Sequence, residues 1–268
     1  MQISESTENN DKHRRPASDA ACCCVADGPL NIIALSGGKD STALALRLNE
    51  ISPKEYTYIC TPTGDELPEM EEHWKNLECL LGQKILRLHA KLNLNELITF
   101  YNALPNWRQR WCTRQLKIEV SNAFYLKHPG STVYVGLRAD EPQREGGIFG
   151  AHVKQKYPMR DWGWNIADVW GYLEKRGISI PRRTDCARCY YQTLGEWWDL
   201  WKDYPALYLD AERQENETGH TFRSPSRDSW PAKLSDMRTM FERGEIPRGA
   251  SVNGDLFQNE SKCRACSI

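Results

Sequence analysis

The run Ser36-Gly37-Gly38-Lys39-Asp40-Ser41 follows the apolar stretch Asn31-Ile32-Ile33-Ala34-Leu35 and leads straight into Thr42-Ala43-Leu44-Ala45-Leu46. This order reads as a strand, a glycine turn and a helix start, and few folds accommodate it. A helix start leaves backbone N–H groups without intrahelical acceptors, carries the positive end of the helix dipole and, where Cβ is missing, lets an anion come close. Lys39 adds a mobile cation; about 4 Å from a phosphate oxygen its charge is worth roughly 4 kcal/mol at an effective dielectric near 20. Ser36, Gly37, Gly38, Lys39, Asp40 and Ser41 are therefore the candidate cofactor-binding turn, suited to a polyphosphate or to sulfate. The adjacent glycines, with the lysine directly after them, depart from the Walker A spacing, so cleavage between β and γ phosphates is not expected.

Beyond the turn the pattern alternates as successive βα units. Residues 56–60 read as a strand, an amphipathic helix carrying Met70, Trp74, Leu77 and Leu81 ends at Gly82, and 84–88 and 132–137 read as two further strands. The fold class expected is α/β, an open, mostly parallel sheet flanked by helices. Ligands of such sheets lie outside the carboxyl ends of the strands, so residues 36–41, 61–66 and 138–144 are the segments to inspect. After about residue 160 the pattern turns helical: Asn165 is placed to cap a helix with Asp168 at its third position, Pro205 and Pro231 stand where first turns begin, and Gly219 and Gly244 where helices end. The organisation expected is a polar segment over 1–28, an α/β nucleotide-binding domain over 29–160 and a helical C-terminal subdomain over 161–268.

The chain carries 35 basic and 36 acidic residues, so no global field steers it toward nucleic acid or membrane. No apolar run is long enough to cross a bilayer, and the first fifteen residues lack a signal-peptide core; a cytoplasmic location with no membrane partner is expected. In that reducing setting the ten cysteines read as metal or redox chemistry before disulfides. The run Cys22-Cys23-Cys24 suggests no role.

The hexapeptide at 36–41 resembles the signature of the PP-loop ATP pyrophosphatase superfamily. Further segments in order resemble its phosphoadenosine phosphosulfate (PAPS) reductase branch: Thr63-Gly64-Asp65-Glu66-Leu67-Pro68-Glu69, Cys112-Thr113-Arg114-Gln115-Leu116-Lys117, Gly136-Leu137-Arg138-Ala139-Asp140-Glu141-Pro142-Gln143-Arg144, and Tyr157-Pro158-Met159-Arg160-Asp161-Trp162. The resemblance implies an adenine nucleotide alpha hydrolase-like fold with ATP over the sheet. Its phosphates would lie on 36–41, with Gly64 and Gly136 beside it and Lys39, Asp40, Lys117, Arg138 and Arg144 as catalytic residues. Guanidinium groups stabilise developing phosphate charge bidentately and Mg²⁺ commonly assists; Asp40, Asp65 and Glu66 are its candidate ligands. For Arg138 and Arg144 the competing reading is an ion pair with Asp140 or Glu145. The thiol-dependent reductases of this branch carry a cysteine in a Glu-Cys-Gly-x-His type segment near the C-terminus, whereas here the sequence reads Cys263-Arg264-Ala265-Cys266-Ser267-Ile268.

Cys186-Ala187-Arg188-Cys189 and Cys263-Arg264-Ala265-Cys266 are two C-x-x-C pairs. Four thiolates suit tetrahedral zinc or a [4Fe–4S] cluster equally well by ligand count. Clusters occur among sulfur-handling PP-loop proteins, so the resemblance favours [4Fe–4S], with Zn²⁺ as the alternative and Tyr190, Tyr191, Trp197 and Trp198 as possible shielding. Cys112 stands in the basic, aromatic segment Trp107-Arg108-Gln109-Arg110-Trp111-Cys112; nearby cations are expected to lower its thiol pKa for sulfur relay, with an inert buried cysteine as the alternative. The same segment could contact nucleic acid, with Trp107 or Trp111 stacking on a base.

Together these features point to an ATP pyrophosphatase that activates an acceptor for sulfur insertion. The functional relatives implied are the PP-loop subunits of DNA phosphorothioation systems, which act beside a cysteine desulfurase and other DNA-modification proteins. The rivals are a thiol-dependent PAPS or adenylyl sulfate reductase, and a nucleotide- and cluster-binding regulator without turnover.

Overall fold

The structure is a computed structural model that describes residues 28–144 and 152–251. Five strands form one sheet: β1 (Asn31–Ala34), β2 (Thr57–Cys60), β3 (Leu86–Arg87), β4 (Thr132–Tyr134) and β5 (Lys154–Lys156). The order is β3-β2-β1-β4-β5 and every pairing is parallel. Strand order reverses at β1, so the crevice between the carboxyl ends of β1 and β4 is the switch point where open α/β sheets take their ligands.

Strand alternation sorts side chains onto two faces. Ile33, Tyr58 and Tyr134 face the core built with α1 (Lys39–Ile51), α2 (Pro68–Leu81) and α7 (Ile166–Glu174). Ile32, Ile59 and Val133 face Phe124 and Tyr125 of α5 (Glu119–Lys127). Because both faces are covered, the central strands read as continuous apolar runs. The edge strand β5, Lys-Gln-Lys, lies outside that pattern and has no apolar signature to read.

A third core joins α3 (Leu94–Tyr101), α8 (Leu194–Asp203), α9 (Pro205–Thr218) and α10 (Leu234–Glu242). It contains Leu67 and Leu116 from the first half of the chain, while α7, beyond residue 160, packs on α1. The α/β layer therefore extends past the boundary expected at 160, and the helical region is built partly from earlier residues. Two short helices, α4 (Trp111–Thr113) and α6 (Pro158–Asp161), complete the set.

The capping signals hold where they are local. Asn165 accepts from the N–H groups of Ala167 and Asp168 while Asp168 accepts from Asn165, and Gly82 and Gly219 end their helices in the left-handed region. Pro205 opens α9, but Pro231 opens no helix: α10 begins at Leu234, whose N–H donates to Glu215. That carboxylate, supplied from across the chain, sets the start that proline was expected to set. Among the described residues no helix is long and apolar enough to cross a membrane.

Candidate functional site at the carboxyl edge of the sheet

The glycine turn leaves β1 at the switch point, and its own hydroxyls fix its shape. Ser41 Oγ donates to the Gly38 carbonyl at 3.1 Å and accepts from Gly37 N–H at 3.2 Å; the Ser36 hydroxyl lies 3.0 Å away and, with the Ser41 proton committed, donates to it. Gly37 has φ +88°, and a Cβ there would stand 2.7 Å from Trp74 Nε1, which donates to the Ser36 carbonyl at 3.1 Å. Only glycine fits. Helix α1 has Gly38 at its N-cap with no side-chain cap, so its first-turn N–H groups are not taken by a capping side chain. Lys39 is 2% exposed, with Nζ 3.3 Å from Asp40 Oδ2. His73 lies against the turn with Nε2 3.5 Å from the Thr42 hydroxyl; burial lowers its pKa to about 4, so it stands there neutral.

From the other side of the crevice, Gly136 approaches the first turn of α1 so closely that a Cβ would lie 3.1 Å from Asp40 C and Ser41 N. It acts as a packing glycine for the helix start. Arg138 follows with a nearly buried guanidinium: Nη1 donates to both Asp40 oxygens at 3.1 and 3.0 Å, and Nε to Asp140 at 2.9 Å. Burial opposes its charge, but Asp140 and Asp40 outweigh it and raise its pKa, while Asp140 is held low. Arg144 Nη1 donates to Glu141 at 2.7 Å. The structure therefore brings Arg138 to the glycine turn through Asp40 and sets Arg144 one carboxylate further out.

In the turn after β2, Asp65 and Glu66, two of the carboxylates expected to be open to Mg²⁺, are engaged by protein donors. Asp65 accepts from Arg188 N–H at 3.0 Å and Nε at 2.9 Å, and also from Nη2; both side chains are 2% exposed. Glu66 closes its own turn, accepting from Thr63 N–H and Oγ1 at 2.7 Å and Gly64 N–H at 2.9 Å. Their lone pairs serve backbone and guanidinium donors, and Asp40, on the first turn of α1, itself takes Arg138 Nη1 and Lys39 Nζ. Gly64, at φ +78°, packs on Asn93, where a Cβ would meet the Asn93 Cβ at 2.8 Å.

The segment Thr184 to Cys189 runs along this edge. Thr184 Oγ1 lies against Gly38, Cys186 Sγ is 3.2 Å from the Thr63 hydroxyl, and Ala187 N–H donates to the Asp65 carbonyl at 2.6 Å. Arg183 Nη2 donates to the Cys186 carbonyl at 2.7 Å. The cysteine pair thus sits at the end of β2, beside the glycine turn at the end of β1. Sequence reasoning missed Thr184, Arg183, Arg188 and His73, which lie outside any motif or, for Arg188, between the cysteines as an unmarked residue.

Residues Arg114–Ile118 wind as a π-helical turn between α4 and α5, a distortion frequent at functional sites. Lys117, on this turn, lends some positive charge to Cys112, Cys186 and Cys189 alike, less than burial takes away. The lowered thiol pKa expected for Cys112 is overturned: burial raises it despite Thr113, Lys117 and Arg110. Burial also pushes Cys189 to about 12 and Cys186 well up. Soft thiols on one turn fit zinc or an iron–sulfur cluster in donor chemistry, yet among the described residues no group of three or more His, Cys, Asp or Glu is arranged to hold an ion. Cys263 and Cys266 lie outside the described residues, as does the Cys22–Cys24 run. Trp197 and Trp198 are core, Trp197 lying against Tyr208 and Phe222, and Tyr190 packs on Tyr191. Of the two candidate stacking rings, Trp107 is 61% exposed with Arg108 over it, whereas Trp111 packs on Tyr101.

A glycine turn at the switch point of an open parallel sheet defines an α/β protein of the kind that receives ligands at its strand ends. The family model of the phosphoadenosine phosphosulfate reductase domain matches residues 31–199, and the chain belongs to that family. An uncharacterized protein of Methanocaldococcus jannaschii is similar, 26% identical over 199 residues that make up 69% of this chain and 40% of that protein. The chain thus spans about two fifths of that relative's length. The crystal structure of PAPS reductase from Candida auris, a phosphate complex, is similar with a TM-score of 0.45 and 14% identity, over 60% of this chain and 77% of that one.

Proposed function

We propose that the protein cleaves ATP to AMP and pyrophosphate and so activates an acceptor for sulfur incorporation, with nucleic acid, as in DNA phosphorothioation, the acceptor class favoured. The observation that carries this reading is the buried Lys39 in a side-chain-uncapped glycine turn at the crevice between β1 and β4. In this reading the turn's N–H groups and Lys39 grip the β and γ phosphates and leave the α phosphate toward β4. Mg²⁺, held by Asp40, would supply charge neutralisation at the phosphates. Arg138, whose Nη1 donates to both Asp40 oxygens, orients that carboxylate and compensates its charge. Neutral His73 adds no competing cation.

Cys186 and Cys189, with Cys263 and Cys266, would hold a [4Fe–4S] cluster or Zn²⁺ that supports folding or sulfur delivery. The exposed Trp107 with Arg108 over it would make local contact with a nucleic-acid strand, and a cysteine desulfurase would be the sulfur donor. Incubation of the full chain with ATP and Mg²⁺ should release AMP and pyrophosphate in equal amounts, and Lys39→Ala should abolish both. ADP and orthophosphate instead would refute the reading.

Family membership favours a second reading, a thiol-dependent sulfonucleotide reductase. The raised Cys112 pKa counts against that cysteine as its nucleophile. Sulfite release from PAPS or adenylyl sulfate with thioredoxin present, without pyrophosphate release from ATP, would favour it.

A further inference from the structure

Among the described residues every exposed Phe, Tyr or Trp lies in one stretch: Phe100 at 71%, Tyr101 at 40% and Trp107 at 61%. The same stretch is basic. Between Glu96 and Glu119 the sequence holds Arg108, Arg110, Arg114 and Lys117 and no acid, in a chain that carries 36 acidic residues. Both flanking acids are engaged, Glu96 by Asn93 N–H at 2.7 Å and Glu119 by Arg114 Nε at 3.3 Å. The acids toward the crevice, Asp65, Glu66 and Asp185, bear on Cys186 and Cys189, while the charges that bear most on Cys112, inside the stretch, are those of Lys117 and Arg110. With a net charge of −1 over the whole chain, this is a local cationic face, and the exposed rings stand in it.

Local structure holds the rings outward. Asn102, at φ +47°, ends α3 and turns the chain back, so that Trp111 packs on Tyr101 at 5.2 Å while Phe100 meets Tyr101 edge-on at 5.1 Å. Gln115 Nε2 donates to the Tyr101 hydroxyl. Trp107 and Arg108 form the tip of a closed turn: Asn106 and Gln109 exchange backbone bonds at 3.3 and 3.1 Å, and Asn106 Oδ1 accepts from Arg108 and Gln109 N–H at 3.0 and 2.9 Å. The buried Leu104 and Pro105 anchor its base. Arg108 lies over one face of Trp107, Cζ 4.7 Å from the ring centroid, and leaves the other to solvent. A turn that fixes a large ring in water is preorganised for a partner that covers it.

Charge and ring chemistry together select that partner. A second copy of this chain brings apolar area but no excess of negative charge, and a duplex hides its base faces in its own stack. An unpaired strand offers both, phosphates for the arginines and flat base faces for the rings. We infer that this face binds single-stranded DNA, with bases stacked on Phe100, Tyr101 and Trp107, phosphates on Arg108 and Arg114, and Trp111 as the inner support of Tyr101. Arg110 Cζ lies 5.5 Å from the Tyr191 ring centroid, two residues beyond Cys189, so the face adjoins the segment that runs along the crevice to Gly38. DNA rather than RNA rests on the acceptor proposed above; the rings and arginines are blind to the sugar.

The test is fluorescence anisotropy of the full chain, without ATP, against a labelled oligothymidylate of about 16 nucleotides. The single strand should bind at least tenfold tighter than a blunt duplex of the same length. Trp107→Ala and Phe100→Ala should each weaken it at least fivefold. Arg108→Gln should reduce the slope of log affinity against log salt by about 0.7. Leu80→Ala, at an exposed apolar position on α2, should leave binding unchanged. All these positions are exposed, so the urea midpoints of the variants should match the parent's. Duplex bound as tightly as the single strand, undiminished binding by both ring variants, or no binding at all would overturn the assignment. A dimer that either ring variant dissociates, with no strand bound, would overturn it in favour of a second copy, and tighter binding of oligouridylate would overturn the choice of DNA. Strand binding without pyrophosphate release from ATP would refute the pyrophosphatase reading and leave this face standing.

Discussion

Gly37→Ala tests whether the glycine turn is shaped by sterics as argued. At φ +88° an L-residue is strained by roughly 1–2 kcal/mol. The new Cβ would also stand 2.7 Å from Trp74 Nε1 and 2.8 Å from Met70 Cε, so the indole must move and weaken its bond to the Ser36 carbonyl, a loss of about 1 kcal/mol. The sum is roughly 2–3 kcal/mol. Gly82→Ala is the internal control: its φ is also positive, at +64°, but nothing lies within 4 Å, so it carries the backbone strain alone. Urea denaturation should show Gly37→Ala less stable than Gly82→Ala by about 1 kcal/mol or more. Isothermal titration with a non-hydrolysable ATP analogue should show at least tenfold weaker binding for Gly37→Ala and unchanged binding for Gly82→Ala. Equal stability of the two variants would refute the packing argument, and undiminished analogue binding would refute the turn's role.

Gly136→Ala places a methyl 3.1 Å from the backbone of Asp40 and Ser41, so α1 must shift by tenths of an ångström; a loss of about 1–2 kcal/mol in denaturation and several-fold weaker nucleotide binding are expected. Asp65→Asn leaves Arg188 buried with only the partly exposed Asp210 as a carboxylate, and should lower stability by about 3 kcal/mol and speed alkylation of Cys186 and Cys189 as followed by mass spectrometry. Glu215 is 2% exposed and burial raises its pKa to about 7 although it accepts from Phe222 and Leu234 N–H. The native state then holds a proton that the unfolded chain releases from about pH 4.5 upward. Stability contributed by that proton is full below pH 4.5, falls as pH rises to about 7 and is flat above, by an amount on the order of 3 kcal/mol. Glu215→Gln should remove this slope between urea denaturations at pH 5 and pH 8.

The features that sequence alone determined are the local ones. A strand, a glycine turn and a helix in direct succession fix a glycine loop at a helix start, because two residues without Cβ need no distant partner to form one; that this loop lies at the switch point was decided by β2 and β4 pairing on either side of β1. Capping at Asn165 and Gly82 was legible for the same reason, as were β2 and β4 from their buried apolar runs. Other features depended on which distant residues came together. β5 is polar and exists because β4 offers it an edge, and α10 starts at Leu234 because Glu215 supplies an acceptor there. Asp65 and Glu66 have the composition of metal ligands, yet Arg188 and the Thr63–Gly64 amides take their lone pairs. Cys112 lies among cations in sequence, but burial governs its proton, since desolvation acts through every neighbouring atom while a charge acts only from where it sits. The sequence names which groups are present; packing sets their dielectric and their partners, and those decide protonation and role.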